Sequence, residues 1–290
     1  METNTARVFN GDNLRGKVHS VFEHAINFYF ELEDGGRLYT ILPPESPGLP
    51  DSVTVSCALF SRLSALTPGT AVWKRQNRFL VEENGFVFTG RPASYPESPV
   101  RRDISPQRAK LFFMHWEEFR ALSGRSIGFE AFSPQTQKEL KNVLVNLYSA
   151  LQSRTEYGFL EELGRYIGLG KGLTPSFDDA LVGVMCFSSV RQPDSILPFF
   201  GGRKKFGGFL ADKTTEVSRK YLCCACEGRY SEKLVELINA ISGESCLDLK
   251  SYLNNTAETG ATSGMDTLWG LAAVCEAAAK KQEARYGPLF

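Results

Sequence analysis

The chain has only three histidines, His19, His24 and His115, and all of them lie in its first 115 residues of 290. Each reads as structural or solvated, so the longer second part of the chain offers no imidazole for acid–base catalysis or metal ligation. Neither sign of charge is in excess: Lys+Arg and Asp+Glu both number 33, which gives no electrostatic case for nucleic acid or an anionic membrane. No apolar run approaches the ~20 residues that a bilayer span requires. The opening residues Met1-Glu2-Thr3-Asn4-Thr5 carry neither a basic segment nor an apolar one, so secretion is not expected. Cysteines number seven, odd and irregularly spaced, which fits reduced thiols better than a disulfide framework. Together these absences lead to the expectation of a cytoplasmic protein. What is there is ordinary globular composition, 42% hydrophobic and 23% charged, in a chain long enough for two cores.

The texture changes once along the chain. Short β-rich runs occupy residues 17–22, 25–32, 37–42, 52–56, 71–74, 78–82 and 86–89. Glu33-Asp34-Gly35-Gly36 and Glu83-Asn84-Gly85 are turn signals between them. Residues 57–66 read as a short inserted helix, and residues 91–106, with Pro92, Pro96, Pro99 and Pro106, as a connector or surface crossing. Helical patterns follow. Ser133-Pro134 starts one in which Leu140, Val143, Leu144, Leu147 and Leu151 recur at helical spacing. Further helices are predicted over residues 159–167, 178–190, 209–227, 231–241, 247–258 and 265–280. The expected fold class is α+β. A β-rich N-terminal domain, a barrel or small sandwich with its Pro-rich connector, spans residues 1–102, and a mainly helical domain spans 103–290.

Two loops in the helical part share one grammar. The first runs Gly168-Leu169-Gly170-Lys171-Gly172-Leu173-Thr174-Pro175-Ser176-Phe177-Asp178-Asp179 into an apolar helix. Thr174 and Pro175 read as helix cap and first helical residue, and two carboxylates sit in the first turn. The second, Gly260-Ala261-Thr262-Ser263-Gly264-Met265-Asp266, opens another apolar helix, with capping-box spacing from Ser263 to Asp266. The two loops are expected to form two walls of one site. Residues 214–219, with their hydroxyls and Arg219, are a candidate third wall, although an ordinary polar helix face explains them equally well.

The first loop is no P-loop, because Gly172 follows Lys171 where Ser or Thr is needed, and no dinucleotide fingerprint, because a helix precedes it. A plain helix connection explains Thr174, Pro175 and one Asp, but less readily three glycines, a Ser and a second Asp. A helix N-terminus attracts anions. Asp178 and Asp179 oppose that, so an anionic ligand would need Lys171 or a Mg²⁺ held by the carboxylates. Alternatively the carboxylates accept N–H bonds from an amide or ureido group while backbone N–H groups hold its oxygens. Cys223-Cys224-Ala225-Cys226 lacks a second Cys/His cluster and reads as buried small side chains rather than a zinc site.

The blocks G-x-G-L-T-P-S-x-D-D, V-S-R-x-Y-L and G-x-T-S-G-x-D-T-L-x-G, spread over residues 168–271, resemble the AllH family, named for a subunit linked to oxamate carbamoyltransferase. The resemblance implies a subunit acting with AllF-like and AllG-like partners in anaerobic purine and allantoin nitrogen catabolism. The implied reaction is phosphorolysis of oxalurate to oxamate and carbamoyl phosphate. Gly170, Gly172, Leu173, Thr174, Pro175, Ser176, Asp178 and Asp179 match its first block; Gly260, Thr262, Ser263, Gly264 and Asp266 match the second loop. Three positions depart from it: Lys171 stands where Pro is common, Phe177 where a small or polar residue is usual, and Ala261 where His is common. Losing that His removes a candidate donor or base, and Phe177 is expected to narrow the pocket. On this reading Asp178 and Asp179 are the catalytic candidates. Gly170, Lys171, Gly172, Leu173, Thr174, Ser176, Gly260, Thr262, Ser263, Gly264 and Asp266 bind a small carbamoyl, amide or phosphate ligand. The rival readings are a non-catalytic metabolite-binding or partner-docking subunit and a stand-alone enzyme on another carbamoyl compound.

Overall fold

The computed structural model describes residues 14–32, 36–92, 94–100, 103–153, 159–191, 193–243 and 249–286. They fall into two compact units that divide between Tyr95 and Pro96.

The first unit is an eight-stranded, nearly closed barrel-like sheet. Its strands are β1 (Leu14–Val21), β2 (Ile26–Phe30), β3 (Arg37–Leu42), β4 (Ser52–Thr54), β5 (Ala71–Arg75), β6 (Arg78–Val81), β7 (Phe86–Thr89) and β8 (Arg91–Pro92), with the helix α1 (Cys57–Leu63) inserted after β4. The spatial order is β7-β6-β5-β1-β2-β3-β4-β8, antiparallel throughout except for the parallel β3–β4 pair. Alternation fills the inside: Val72 on β5, Phe79 and Val81 on β6 and Phe28 on β2 are buried, and Phe79 stacks on Phe88 with ring centroids 5.1 Å apart. The turn at Glu82–Asn84 ends on Gly85 with φ +64°. The Glu33-Asp34-Gly35 part of the other turn signal lies outside the described residues. The Pro-rich connector begins as part of the sheet, since β8 pairs with β4 as the edge strand, where a Pro is tolerated.

The second unit is helical: α2 (Pro106–Ser123), α3 (Pro134–Ser153), α4 (Phe159–Leu163), α5 (Ser176–Arg191), α6 (Pro193–Phe199), α7 (Gly202–Leu210), α8 (Glu216–Cys226), α9 (Glu232–Ser242), α10 (Leu249–Ala257) and α11 (Ser263–Tyr286). Helix α5 is apolar on every side and buried along almost its whole length, the signature of a central helix. It packs against α11, α8 and α3. Two glycines let α5 and α11 touch backbone to backbone. A Cβ on Gly183 would lie 2.2 Å from the Thr267 carbonyl oxygen, and one on Gly270 would lie 2.0 Å from that of Ala180. This close crossing brings the starts of the two helices side by side.

The helix predictions need correction. Helix α2, directly after the expected connector, falls where no helix was predicted, as do α6 and most of α7. Ser105 caps α2, Pro106 is its first residue, and Ala109, Phe112, Trp116 and Phe119 form its buried face. The single helix expected over residues 209–227 is two helices, because Thr215 turns the chain out after α7 and caps α8, its hydroxyl accepting the Ser218 N–H at 3.0 Å. No described helix is long and apolar enough to cross a membrane.

Candidate functional site

The glycine loop is folded back onto its own helix. The Gly168 N–H donates to Asp178 Oδ1 at 2.8 Å, and the Phe177 N–H donates to the Leu169 carbonyl at 3.0 Å. Such a tight return needs glycine at two points. Gly168 has φ +83° and a Cβ there would sit 2.0 Å from the Lys213 carbonyl oxygen; Gly170 has φ +132° and a Cβ there would sit 2.4 Å from the Ser176 nitrogen. The helix starts one residue later than expected. The Pro175 carbonyl accepts the first helical hydrogen bond, from the Asp179 N–H at 3.1 Å, so Pro175 and not Thr174 is the cap. The Thr174 hydroxyl is thereby free for another partner, Ser263 Oγ at 2.6 Å.

The cap of the second loop is shifted by one residue in the opposite direction. The Asp266 N–H donates to the Thr262 carbonyl at 2.8 Å, so Thr262 caps α11 and Ser263 is released from capping. The expected Ser263–Asp266 capping box is therefore replaced by a Thr262 cap. Gly264 is buried against α10: its N–H is taken by the Thr259 carbonyl, and a Cβ would lie 2.1 Å from the Thr256 carbonyl oxygen.

Three carboxyl groups lie beneath the joined loops, and their exposure is 1% for Asp178, 8% for Asp179 and 0% for Asp266. Asp178 and Asp179 are adjacent in sequence and point to different surroundings, as the ~100° step of a helix requires. Asp178 spends both oxygens within the protein: Oδ1 accepts from Gly168, and Oδ2 from the hydroxyls of Thr214 and of Ser218, the latter at 2.6 Å. Burial pushes its carboxyl up, and these donors pull it partly back. The break between α7 and α8 is what supplies them, so residues 214–218 are a wall of the arrangement. The Thr215 hydroxyl also donates to the Leu173 carbonyl and ties down the loop.

Asp266 reaches across to an element that carried no signal in the sequence, the short turn Gly128–Ala131. The Gly128 N–H donates to Asp266 Oδ1 at 2.8 Å, and a Cβ on Gly128 would strike Ser176 Oγ at 2.0 Å. Burial raises the Asp266 carboxyl, while Ser176, Thr262 and the N–H groups of Gly128 and Phe129 lower it. Burial pushes Asp179 well up, opposed by the Ser263 and Thr174 hydroxyls and reinforced by Asp266 and Asp178. Its Oδ2 is buried with no hydrogen-bond partner among the described residues; Oδ2 of Asp266 is in the same position, but Asp266 keeps the Gly128 N–H on Oδ1.

Of the predicted site residues, then, Thr174, Ser176, Asp178, Asp179, Thr262, Ser263 and Asp266 are brought into one network. Lys171, Gly172, Leu173 and Gly260 are exposed. Among the described residues no hydrogen-bond partner receives the backbone N–H groups of residues 170–174, which are left for solvent or ligand. Phe177, expected to narrow a pocket, is wholly buried and packs on Tyr166 with ring centroids 5.7 Å apart, so it belongs to the core. Among the described residues no group of three His, Cys, Asp or Glu side chains is placed to hold a metal ion. The Cys223, Cys224 and Cys226 thiols are buried, and burial pushes that of Cys226 up to about 12, as expected of inert core side chains.

Residues 166–275, which include both loops and the wall between them, match the family model described as oxamate carbamoyltransferase subunit AllH. Residues 1–94 match the AllH family N-terminal domain. No solved structure matches the chain.

Proposed function

The chain belongs to the AllH family, and from that premise we propose that it is a subunit of an oxamate carbamoyltransferase-like complex whose two loops hold a small carbamoyl compound. The reaction is phosphorolysis of oxalurate: a phosphate oxygen bonds to the ureido carbon, the bond from that carbon to the oxamate nitrogen breaks, and that nitrogen gains a proton. Oxamate and carbamoyl phosphate result. The partners are AllF-like and AllG-like subunits, the setting is purine and allantoin nitrogen catabolism, and the compartment is the cytoplasm.

One observation carries this reading: the N-termini of α5 and α11 are joined at Thr174–Ser263 over Asp179, whose Oδ2 is buried without a partner. Nothing in a bare helix connection calls for such an atom. The exposed backbone N–H groups of residues 170–174 and the hydroxyls of Thr174 and Ser263 suit ligand oxygens, and both helix N-termini add positive potential there. Lys171, on the first loop, is exposed. Asp178, with both oxygens committed to loop backbone and hydroxyls, and Asp266, whose Oδ1 holds the Gly128 N–H, act by holding the loops. Catalysis in such a site comes from positioning and preorganised donors, without a protein nucleophile.

That commitment of Asp178 and Asp266 equally favours a second reading, a subunit that binds the metabolite while chemistry is completed on a partner. Calorimetric titration of the chain with oxalurate and oxamate, followed by turnover assays with and without the partner subunits, separates the readings. Binding by the chain with turnover only in the complex is expected. Turnover by the chain alone would make it a free enzyme, and no binding with no effect on turnover would remove it from the reaction.

A further inference from the structure

We propose that Asp179 is kept as a neutral carboxylic acid and donates its O–H to an anionic oxygen of the ligand, a carboxylate or a phosphate. The inference rests on the loop-site reading above and names the charge class that site accepts.

The groups that act on Asp179 are acidic or neutral. From its own helix comes Asp178, from α11 Asp266 and Ser263, from the preceding loop Thr174, and from α8 Tyr221, a phenol raised chiefly by burial and also by Asp179. No lysine or arginine is among the influences on the three carboxyl groups. Three buried carboxylates cannot share a small volume without a cation, so a proton stays in the cluster.

The hydrogen bonds decide where it stays. Asp178 is served by one N–H and two hydroxyls, and Asp266 by two N–H groups and two hydroxyls. Asp179 has only Thr174 and Ser263, and these two share a hydrogen bond with each other at 2.6 Å. Two hydroxyls carry two protons; one lies between them, and one remains for Asp179. Its Oδ2 receives none; Oδ2 of Asp266 receives none either, but Oδ1 of Asp266 keeps the Gly128 N–H at 2.8 Å. Asp179 is thus the worst equipped of the three to be an anion and the best placed to hold the proton. A neutral acid presents a donor that lacks an acceptor, and an anionic oxygen supplies one. The arrangement also removes the conflict between acidic first-turn residues and an anion at the same helix N-termini. An ionised Asp179 would instead require an N–H or a cation from the ligand.

The test uses the full chain with ¹³C-labelled aspartate carboxyl groups, Asp179 being assigned as the resonance that Asp179→Asn removes. The Asp179 resonance is expected to stay in its protonated position well above the ordinary carboxylate range of about 4. In parallel, oxamate and sulfate are titrated calorimetrically from about pH 6 to about pH 9, an interval over which neither a carboxylate nor sulfate changes charge. Affinity should fall about tenfold per pH unit above the Asp179 titration. Asp179→Asn, which keeps an N–H donor, should bind without that slope. The slope of the unaltered chain is read without any variant. Binding of oxamate alone identifies a carboxylate as the partner oxygen, and binding of sulfate alone identifies a phosphate. An Asp179 resonance that titrates in the ordinary range, or affinity that rises with pH, overturns the proposal while leaving the loop site standing. A protonated Asp179 with no binding of oxamate, oxalurate or sulfate overturns both.

Discussion

Asp178 and Asp179 are neighbours in sequence with opposite situations, one saturated with donors and one starved of them. Asp178→Ala would strand the Gly168 N–H and the Thr214 and Ser218 hydroxyls. The expected cost is about 3 kcal/mol, at roughly 1 kcal/mol or more for each abandoned buried donor, and it is read as a lowered melting temperature. Asp179→Asn should act the other way. An acid whose folded value is raised binds its proton in the folded state while the unfolded chain has released it. Stability is therefore lost as pH rises from the ordinary carboxylate range towards the folded value, and stays lower beyond it. Replacing Asp179 with Asn should remove that loss, so the variant gains stability over the unaltered chain at neutral pH and not near about pH 4. Denaturant midpoints at the two pH values check the sign. The sequence marks both residues by type and spacing, but their division of labour depends on partners 36 and 40 residues away for Asp178 and 84 and 87 for Asp179 and is invisible without the fold.

Between elements, the joined loops depend on a crossing made well inside α5 and α11. Gly183→Ala or Gly270→Ala must push one helix away from a backbone carbonyl of the other. Either is expected to destabilise the protein by about 1–3 kcal/mol and, by parting Thr174 from Ser263, to weaken oxamate binding measured calorimetrically. Neither glycine touches the loops, so a loss of affinity there tests whether the crossing sets the site. Most strands and helices of this chain are legible from period and turn residues. Helix α2 had the same Ser-Pro opening as α3 and a 109/112/116/119 buried face, yet the prolines before it read as a connector. The α7–α8 break was hidden because hydrophobic period continues across it and Thr214-Thr215 alone marks it. Both caps, at Pro175 and Thr262, are offset by one residue from the sequence reading. The hydroxyls of Thr174 and Ser263 meet each other instead of closing a helix end.

At the scale of the whole molecule, membership of a family described as a subunit of oxamate carbamoyltransferase implies that the chain works with partner subunits. Turnover of oxalurate is accordingly expected only from the assembled complex, and Asp179→Ala should abolish it there while the chain remains folded by circular dichroism. Full turnover by a complex carrying Asp179→Ala would exclude that residue from the reaction. The central claim is that the two loops together bind one small carbamoyl compound, and amide resonances of the full chain titrated with oxamate test it most directly. Shifts concentrated at residues 170–174 and 260–264, lost together in Asp179→Ala, are the predicted result. Shifts centred elsewhere, for example on the cavity of about 440 Å³ beside Cys57 and Arg91, with the loops silent, would contradict it.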